Sequence, residues 1–366
     1  MTSIEPQLRI GVDGRKIPEA DKRGAIGSLH HARELGMQGL FFRTVLEMSP
    51  TLDLGELREI RACADELDMY LETGLGKVNP YALAETPEVR VIGEGDTLLG
   101  FRRMMEACAE IECRELWSAT ANLKAAFRGR LSIDRFRTDV AWEEQLRSTE
   151  AFLKRLRPIA LDLGVHVNLE THEEITTFEL VRLVEAGGPD AFGIVFDTAN
   201  VLIRVEHPLM AARRVAPYIR QTHMKDAHVA HGEGGLLYQM RPFGDGVMPF
   251  EQILPIVAEA NPSMNLTIEN AESADDFPRR PGPALIEVYD PEFLAGHPDL
   301  SVEELAAYLG MVRSYEQRIA KGEVLGLEDY ADKPFGYHET VAFIKDSAAH
   351  LRAACDRAGV PVAPAP

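Results

Sequence analysis

Eight short runs of apolar and β-branched residues recur along the chain, at residues 8–13, 39–45, 69–74, 115–119, 165–172, 193–200, 220–226 and 265–270. Between them lie longer segments whose apolar residues return at helical spacing, at 23–35, 54–67, 98–111, 142–163, 178–186, 209–215 and 250–258. Strand, helix, strand, repeated, predicts parallel pairing with crossover helices. Eight such units close into a (β/α)8 TIM barrel, the predicted fold class. A doubly wound open sheet is the competing architecture. Its dinucleotide-binding form would carry GxGxxG after the first strand, and the run GVDGRK found there lacks that spacing.

The alternation stops near Asn270. Residues 1–272 are assigned to a catalytic barrel and 273–366 to a C-terminal loop and helical extension packed on it. Within the extension, 273–283 is rich in Pro, Asp and Arg and reads as a loop, while 302–321 and 339–358 read as amphipathic helices. The final PVAPAP is expected to fray.

Charge narrows the function. The formal net charge is −19, which repels a polyanion such as DNA or RNA. The pairs Arg102-Arg103, Arg213-Arg214 and Arg279-Arg280 are too small to make a basic groove. Cys63, Cys108, Cys113 and Cys355 form no CxxC pair, which suits reduced thiols in a cytoplasmic protein. The start, MTSIEPQLRI, lacks the basic-then-apolar pattern of a signal peptide, and no apolar run is long enough to cross a bilayer.

In a barrel of this type, side chains at the C-terminal ends of the strands build the active site. Strand five, VHVNLETH, ends in Glu170 and His172. Strand six, GIVFDTAN, ends in Asp197 and Asn200. Strand seven, RQTHMKD, ends in His223, Lys225 and Asp226. Strand eight, NLTIEN, ends in Glu269 and Asn270. By alternation, Asn168, Glu170 and His172 share a face, as do Gln221, His223 and Lys225, and Asn265, Thr267 and Glu269. Buried parallel strands normally read apolar on both faces, so polar faces here need a neutralising partner. One divalent cation held by Glu170, Asp197, His223 and Glu269 provides it. The oxygen-rich set with one nitrogen suits Mn²⁺, Mg²⁺, Co²⁺ or Zn²⁺, and leaves positions open for substrate oxygens. Taken singly, each of these residues reads as a helix cap or a core histidine; their recurrence on four successive strands favours a metal site. Near the ends of the first three strands, Arg15, Arg43, Glu72 and Asn79 are further pocket candidates. The stretch 122–137, with Lys124, Phe127, Arg128 and Arg130, reads as a surface loop, with a substrate lid as the alternative.

The runs LETHEE, FDTANVL, APYIRQTHMKD, FGDGVMPFEQIL and LTIEN resemble the xylose isomerase-like barrel superfamily, and within it the sugar phosphate isomerase/epimerase branch. The motifs cover roughly 160–270; earlier strands match in rhythm only. The resemblance implies a metal on Glu170, Asp197, His223 and Glu269, Mn²⁺ foremost. It also implies that Glu170 and Glu269 exchange protons with the carbon beside a sugar carbonyl, one on each face. His172 and Lys225, two residues beyond a ligand, would polarise the carbonyl or move a proton, and Asn200, Arg241, Arg43 and Glu72 would meet the substrate. Arg241 opens the glycine-containing loop RPFGDG, expected at the pocket rim. Typical ketose 3-epimerases carry a histidine soon after the strand-six aspartate and an arginine after the strand-seven histidine. The runs DTANVL and HMKDAH lack both, which weakens a simple free-ketose epimerase. The resemblance therefore also admits a C–C-cleaving lyase, the catalytic subunit of a 3-oxo-glucoside C-deglycosidase working with a small β-sandwich subunit. An oligomer is expected in either case. An endonuclease-IV-like repair enzyme shares the barrel, but the acidic charge and single histidine ligand oppose it.

Overall fold

In the computed structural model, which describes residues 7–121, 124, 126–269 and 282–366, the chain forms eleven strands. They are β1 (Arg9–Asp13), β2 (Gly39–Phe41), β3 (Tyr70–Lys77), β4 (Glu115–Ala119), β5 (His166–Glu170), β6 (Phe192–Asp197), β7 (Ile219–Met224), β8 (Asp226–Gly232), β9 (Gly235–Arg241), β10 (Asn265–Ile268) and β11 (Ala284–Ile286). β1–β7 and β10 pair in parallel and close into a barrel in the order β1-β10-β7-β6-β5-β4-β3-β2. These are the eight predicted strands. Every residue of β3 and β6 is buried, as expected where helices cover the outside of the sheet.

The crossover helices begin where short polar side chains cap them. The Asp53 carboxylate accepts from Glu56 N at 3.0 Å, and that of Asp96 from Leu98 N at 2.8 Å. Thr176 and Glu179 form a capping box at Thr177–Gly187. The longest crossover helix, Trp142–Leu163, ends on Gly164 in the left-handed region at φ 62°.

The barrel interior is layered. Near its N-terminal end the Tyr70 ring fills the space that Gly11 and Gly39 leave open. A Cβ on Gly39 would sit 2.2 Å from a Tyr70 ring carbon, and one on Gly11 2.3 Å from the phenol oxygen. The phenol lies 2.9 Å from Thr267 Oγ1. Towards the C-terminal end, Phe41, Trp117, Ala119 and Val195 make a separate apolar cluster. The polar strand ends rest on this floor.

Two features differ from the sequence reading. The predicted seventh strand runs through Asp226, but the barrel strand stops at Met224. Asp226 opens an antiparallel hairpin, β8–β9, that turns through Gly234 at φ 84° and is joined by β11. The Asp226 carboxylate instead gathers the N–H groups of Gly244, Gly246 and Met248 at 2.9, 3.1 and 2.9 Å, and so shapes the glycine loop. A Cβ at Gly246 would meet Asp226 Oδ1 at 2.0 Å. The second correction concerns the C-terminus, which is pinned rather than frayed. Leu8 N donates to Pro361 O at 3.0 Å and Ala363 N to Leu8 O at 2.8 Å, extending the edge of the first strand.

The extension contains the helices Val302–Ala320 and Tyr337–Ala358 close to their predicted bounds. The first holds the glycine loop: Arg318 donates to Gly244 O and Gly246 O, both at 2.7 Å, and Tyr315 to Asp245 O at 2.8 Å. It also meets the barrel helices through Arg214–Glu304 at 2.6 Å. Asn270, most of the predicted loop 273–283, the Arg279-Arg280 pair and the boundary at 272 lie outside the described residues, as do 122, 123 and 125 of the loop after β4. Among the described residues no helix is long and apolar enough to cross a membrane.

Candidate active site

Parallel register carries Glu170, Asp197, His223 and Glu269 to one level. Asp197 pairs with His223 across β6–β7, and Thr267, two residues before Glu269, pairs with His223 across β7–β10. One ligand atom from each of the four lies within 4.8 Å of the others, and all four residues are buried. His223 Nδ1 is 2.9 Å from Glu170 Oε1 and 3.3 Å from Glu269 Oε2. Trp117 Nε1 donates to the other Glu170 oxygen at 3.0 Å. The Phe41 ring packs on the His223 imidazole, centroids 4.6 Å apart.

The charges are balanced by cations on neighbouring strands. Lys225 Nζ lies 2.8 Å from Asp197 Oδ2 and 2.8 Å from Glu269 Oε2, and Arg43 reaches Glu269 Oε1 at 2.8 Å. Apart from these ion pairs, Asp197 Oδ2 and Glu269 Oε2 are buried and make no well-formed hydrogen bond. Three carboxylates and an imidazole converging in a buried interior, with two of the oxygens held only by ion pairs, fit a divalent cation.

Electrostatics follow this geometry. Burial and the Glu269 charge push the Glu170 carboxyl up, but His223 and His172 outweigh them and hold it below the ordinary range. Burial likewise opposes ionisation of Glu269, while Lys225, His223 and Arg43 hold it well below. Burial pushes Asp197 up to about 7 against the pull of Lys225. For His223 burial works against the charged form, yet Glu170 and Glu269 raise it to about 10.

A testable pH dependence follows. Metal uptake on these atoms requires neutral His223 and ionised Asp197. With His223 raised to about 10 and Asp197 to about 7, uptake is expected to release one proton at pH 8 and approach two below pH 7. Apparent affinity should rise roughly tenfold per pH unit around pH 8, and more steeply below 7. Calorimetry in buffers of different ionisation enthalpy counts these protons; zero release at pH 8 would contradict a protonated His223.

The other expected residues divide into two groups. His172, Lys225, Asn200 and Arg43 border the cluster. His172 Nε2 is 3.9 Å from Glu170 Oε2, while its Nδ1 lies 2.7 Å from Glu173 and 2.5 Å from Glu174. Those carboxylates overcome burial and raise His172 to about 10. Asn200 Oδ1 accepts from Lys225 at 3.3 Å, and its buried Nδ2 has no acceptor. Glu72 and Arg241 are engaged elsewhere. Glu72 accepts from Asn265 Nδ2 at 2.9 Å and Thr267 Oγ1 at 3.0 Å, deeper in the barrel than Glu269. Arg241 lies over the Tyr330 ring at 3.7 Å, against the extension. Among the further candidates, Arg15 pairs with Glu47 at 2.8 Å and Asn79 donates to Gln145 at 3.0 Å.

Sequence reasoning missed several neighbours. Glu173 and Glu174 follow His172 in the LETHEE run, and Trp117 occupies an inward position of β4, so alternation offered a signal for these three. Tyr238 on β9 gave none, because the hairpin itself was unrecognised. Burial pushes its phenol up, and the charges of Lys225, Asp197, Glu173 and Glu269 act on it.

Comparison with known proteins agrees with this architecture. A family model described as xylose isomerase-like TIM barrel matches residues 29–312. The uncharacterized protein YihM of Escherichia coli K12 is 38% identical over 93 residues, 25% of this chain and 28% of that protein. An inosose dehydratase of Bacillus anthracis is 26% identical over 133 residues, covering 32% of this chain and 45% of its own length. The matches thus span less than half of either relative. The solved structure of D-psicose 3-epimerase with D-tagatose from Clostridium cellulolyticum H10 superposes with a TM-score of 0.55 at 17% identity, over 84% of this chain and 99% of that one, a likeness of fold.

Proposed function

The chain belongs to the xylose isomerase-like TIM barrel family, and on that premise we propose that it is a divalent-metal-dependent enzyme that removes a proton beside the carbonyl of a sugar or oxidised sugar. Glu170, Asp197, His223 and Glu269 would hold the ion, Mn²⁺ foremost, which when bound supplies a Lewis acid for the substrate's oxygens. The reading is carried by the placement of Glu170 and Glu269, which approach one imidazole nitrogen at 2.9 and 3.3 Å from β5 and from the end of β10. With the reacting carbon between them, one carboxylate takes its proton and the other returns a proton to the opposite face, as general base and acid. His172, 3.9 Å from Glu170 and kept protonated by Glu173 and Glu174, serves as the proton donor on that side. Lys225 stands between Asp197 and Glu269, where its ammonium stabilises charge developing on the substrate oxygen. Asn200 offers its unpaired amide to a hydroxyl, and Arg43 fixes the Glu269 carboxylate.

The test is proton NMR in D₂O with Mg²⁺-loaded protein and a panel of ketoses, inososes and 3-oxo-glucosides. Metal-dependent deuterium incorporation beside the carbonyl is expected, falling by roughly 10²–10⁴-fold in Glu170→Gln and Glu269→Gln. No exchange across the panel from protein shown to bind metal would sink the reading. Release of an aglycone from a 3-oxo-glucoside would identify the C–C-cleaving variant, which begins with the same proton abstraction.

A further inference from the structure

Most of the inward cations around the cluster have a carboxylate beside them. Lys225 has Asp197 and Glu269, Arg43 has Glu269, and His172 has Glu173 and Glu174. Lys77, at the C-terminal end of β3, differs. It is 5% exposed, and among the described residues its ammonium has no hydrogen bond and no carboxylate within 4 Å. It lies over the Trp117 ring at 5.2 Å, and Trp117 in turn holds Glu170.

Its inward direction is built into the strand. On β3, Tyr70, Glu72 and Gly74 face the barrel interior, so strict alternation would send Lys77 outward. The register slips between Gly74 and Gly76, where β3 carries one extra residue against β4: Gly74 pairs with Trp117, Gly76 with Ser118 and Lys77 with Ala119. Because Trp117 and Ala119 belong to the interior cluster, the bulge turns Lys77 to the same side. Gly76 takes φ 96°, which a residue with a Cβ rarely adopts, so the bulge depends on glycine there.

A largely buried lysine with no ion pair within 4 Å is unfavourable even with the charges of Glu174 and Glu170 acting on it from further away, and a bulge is a specific device for re-aiming a side chain next to a site. We propose that Lys77 is a specificity-determining residue that receives an oxyanion of the substrate, a carboxylate in the first instance. The substrate class is then an acidic sugar rather than a neutral one. The charge of the substrate supplies the close ion pair that Lys77 lacks, through charge-assisted hydrogen bonds. This rests on the reading of the barrel mouth as the substrate site.

The test is calorimetric binding of glucuronate, glucose and glucose 6-phosphate to Mg²⁺-loaded wild type, Lys77→Met and Lys77→Arg. Glucuronate is expected to bind wild type about 10- to 100-fold tighter than glucose. Lys77→Met should erase that preference while leaving glucose affinity and metal-dependent stabilisation unchanged, and Lys77→Arg should retain part of it. A preference for the 6-phosphate that disappears in the same variant would keep the oxyanion site and reassign its source to phosphate. Equal binding of charged and neutral sugars, equal loss of both in Lys77→Met, or no binding of either anion would overturn the proposal. Because binding is read without turnover, a charge preference in a protein that fails the deuterium test would separate this inference from the proton-abstraction reading.

Discussion

Replacing His223 by alanine is expected to abolish the stabilisation that Mn²⁺ gives the wild-type protein. At a metal concentration 100 times its dissociation constant, wild type should gain about 2.7 kcal/mol. With an unfolding entropy of about 2.1 cal/mol/K per residue, that is a rise in Tm of roughly 3–4 °C for a chain of this length. His223→Ala removes the sole nitrogen donor of the set and leaves Glu170 and Glu269 facing each other without the imidazole that lies 2.9 and 3.3 Å from them. Its Tm should therefore stay flat across a Mn²⁺ titration, and its deuterium exchange should fall at least as far as in the glutamate variants. Chelation of wild type should have the same effect, reversed on adding metal back. A His223→Ala protein that shifts like wild type would place any metal elsewhere.

The second large effect is expected on folding. Arg135 and Glu179 form a bidentate ion pair, 2.7 and 3.0 Å, with side-chain exposures of only 3% and 6%. Glu179 also accepts from Trp142 Nε1 at 3.0 Å and closes the capping box with Thr176, while Arg135 donates to Gly296 O of the extension. Replacing Glu179 by leucine leaves a buried guanidinium without its carboxylate, and breaking such a pair costs about 3–5 kcal/mol. A fall in Tm of several degrees should follow. Adding Arg135→Met should recover part of the loss, because it removes the unpaired buried guanidinium, while the Trp142 N–H and the helix cap still lack Glu179. Denaturant unfolding of the two single variants and the double variant measures the coupling. An additive result, with no recovery, would mean that the pair contributes little beyond packing.

The barrel was legible because its signals are local. Period-two and helical patterns predicted all eight barrel strands and seven of the helices between them, missing the short Val45–Met48 and Pro87–Ile92, and Trp142–Leu163 matched to the residue. The four strand-end residues Glu170, Asp197, His223 and Glu269 could be named together because alternation and the barrel rule place strand ends at one mouth, and the structure does bring them within 4.8 Å. The first errors appear where a pattern is shared by two structures. Lys225 continues the inward polar positions of Gln221 and His223, so nothing in the alternation marks Met224 as the point where the chain leaves the barrel before the hairpin starts at Asp226.

By itself, then, the sequence determined the fold class, the inward polar faces and the acidic net charge, because each depends on residue type and short-range spacing. Tertiary structure alone decided which cation meets which carboxylate. Arg43 pairs with Glu269 across 226 residues of chain, and one extra residue in β3 reverses the direction of Lys77. It also decided that Glu72 serves the barrel interior, that Arg241 lies on Tyr330, and that the C-terminal residues pair with Leu8. These outcomes depend on register and on contacts between distant segments, which periodicity does not encode.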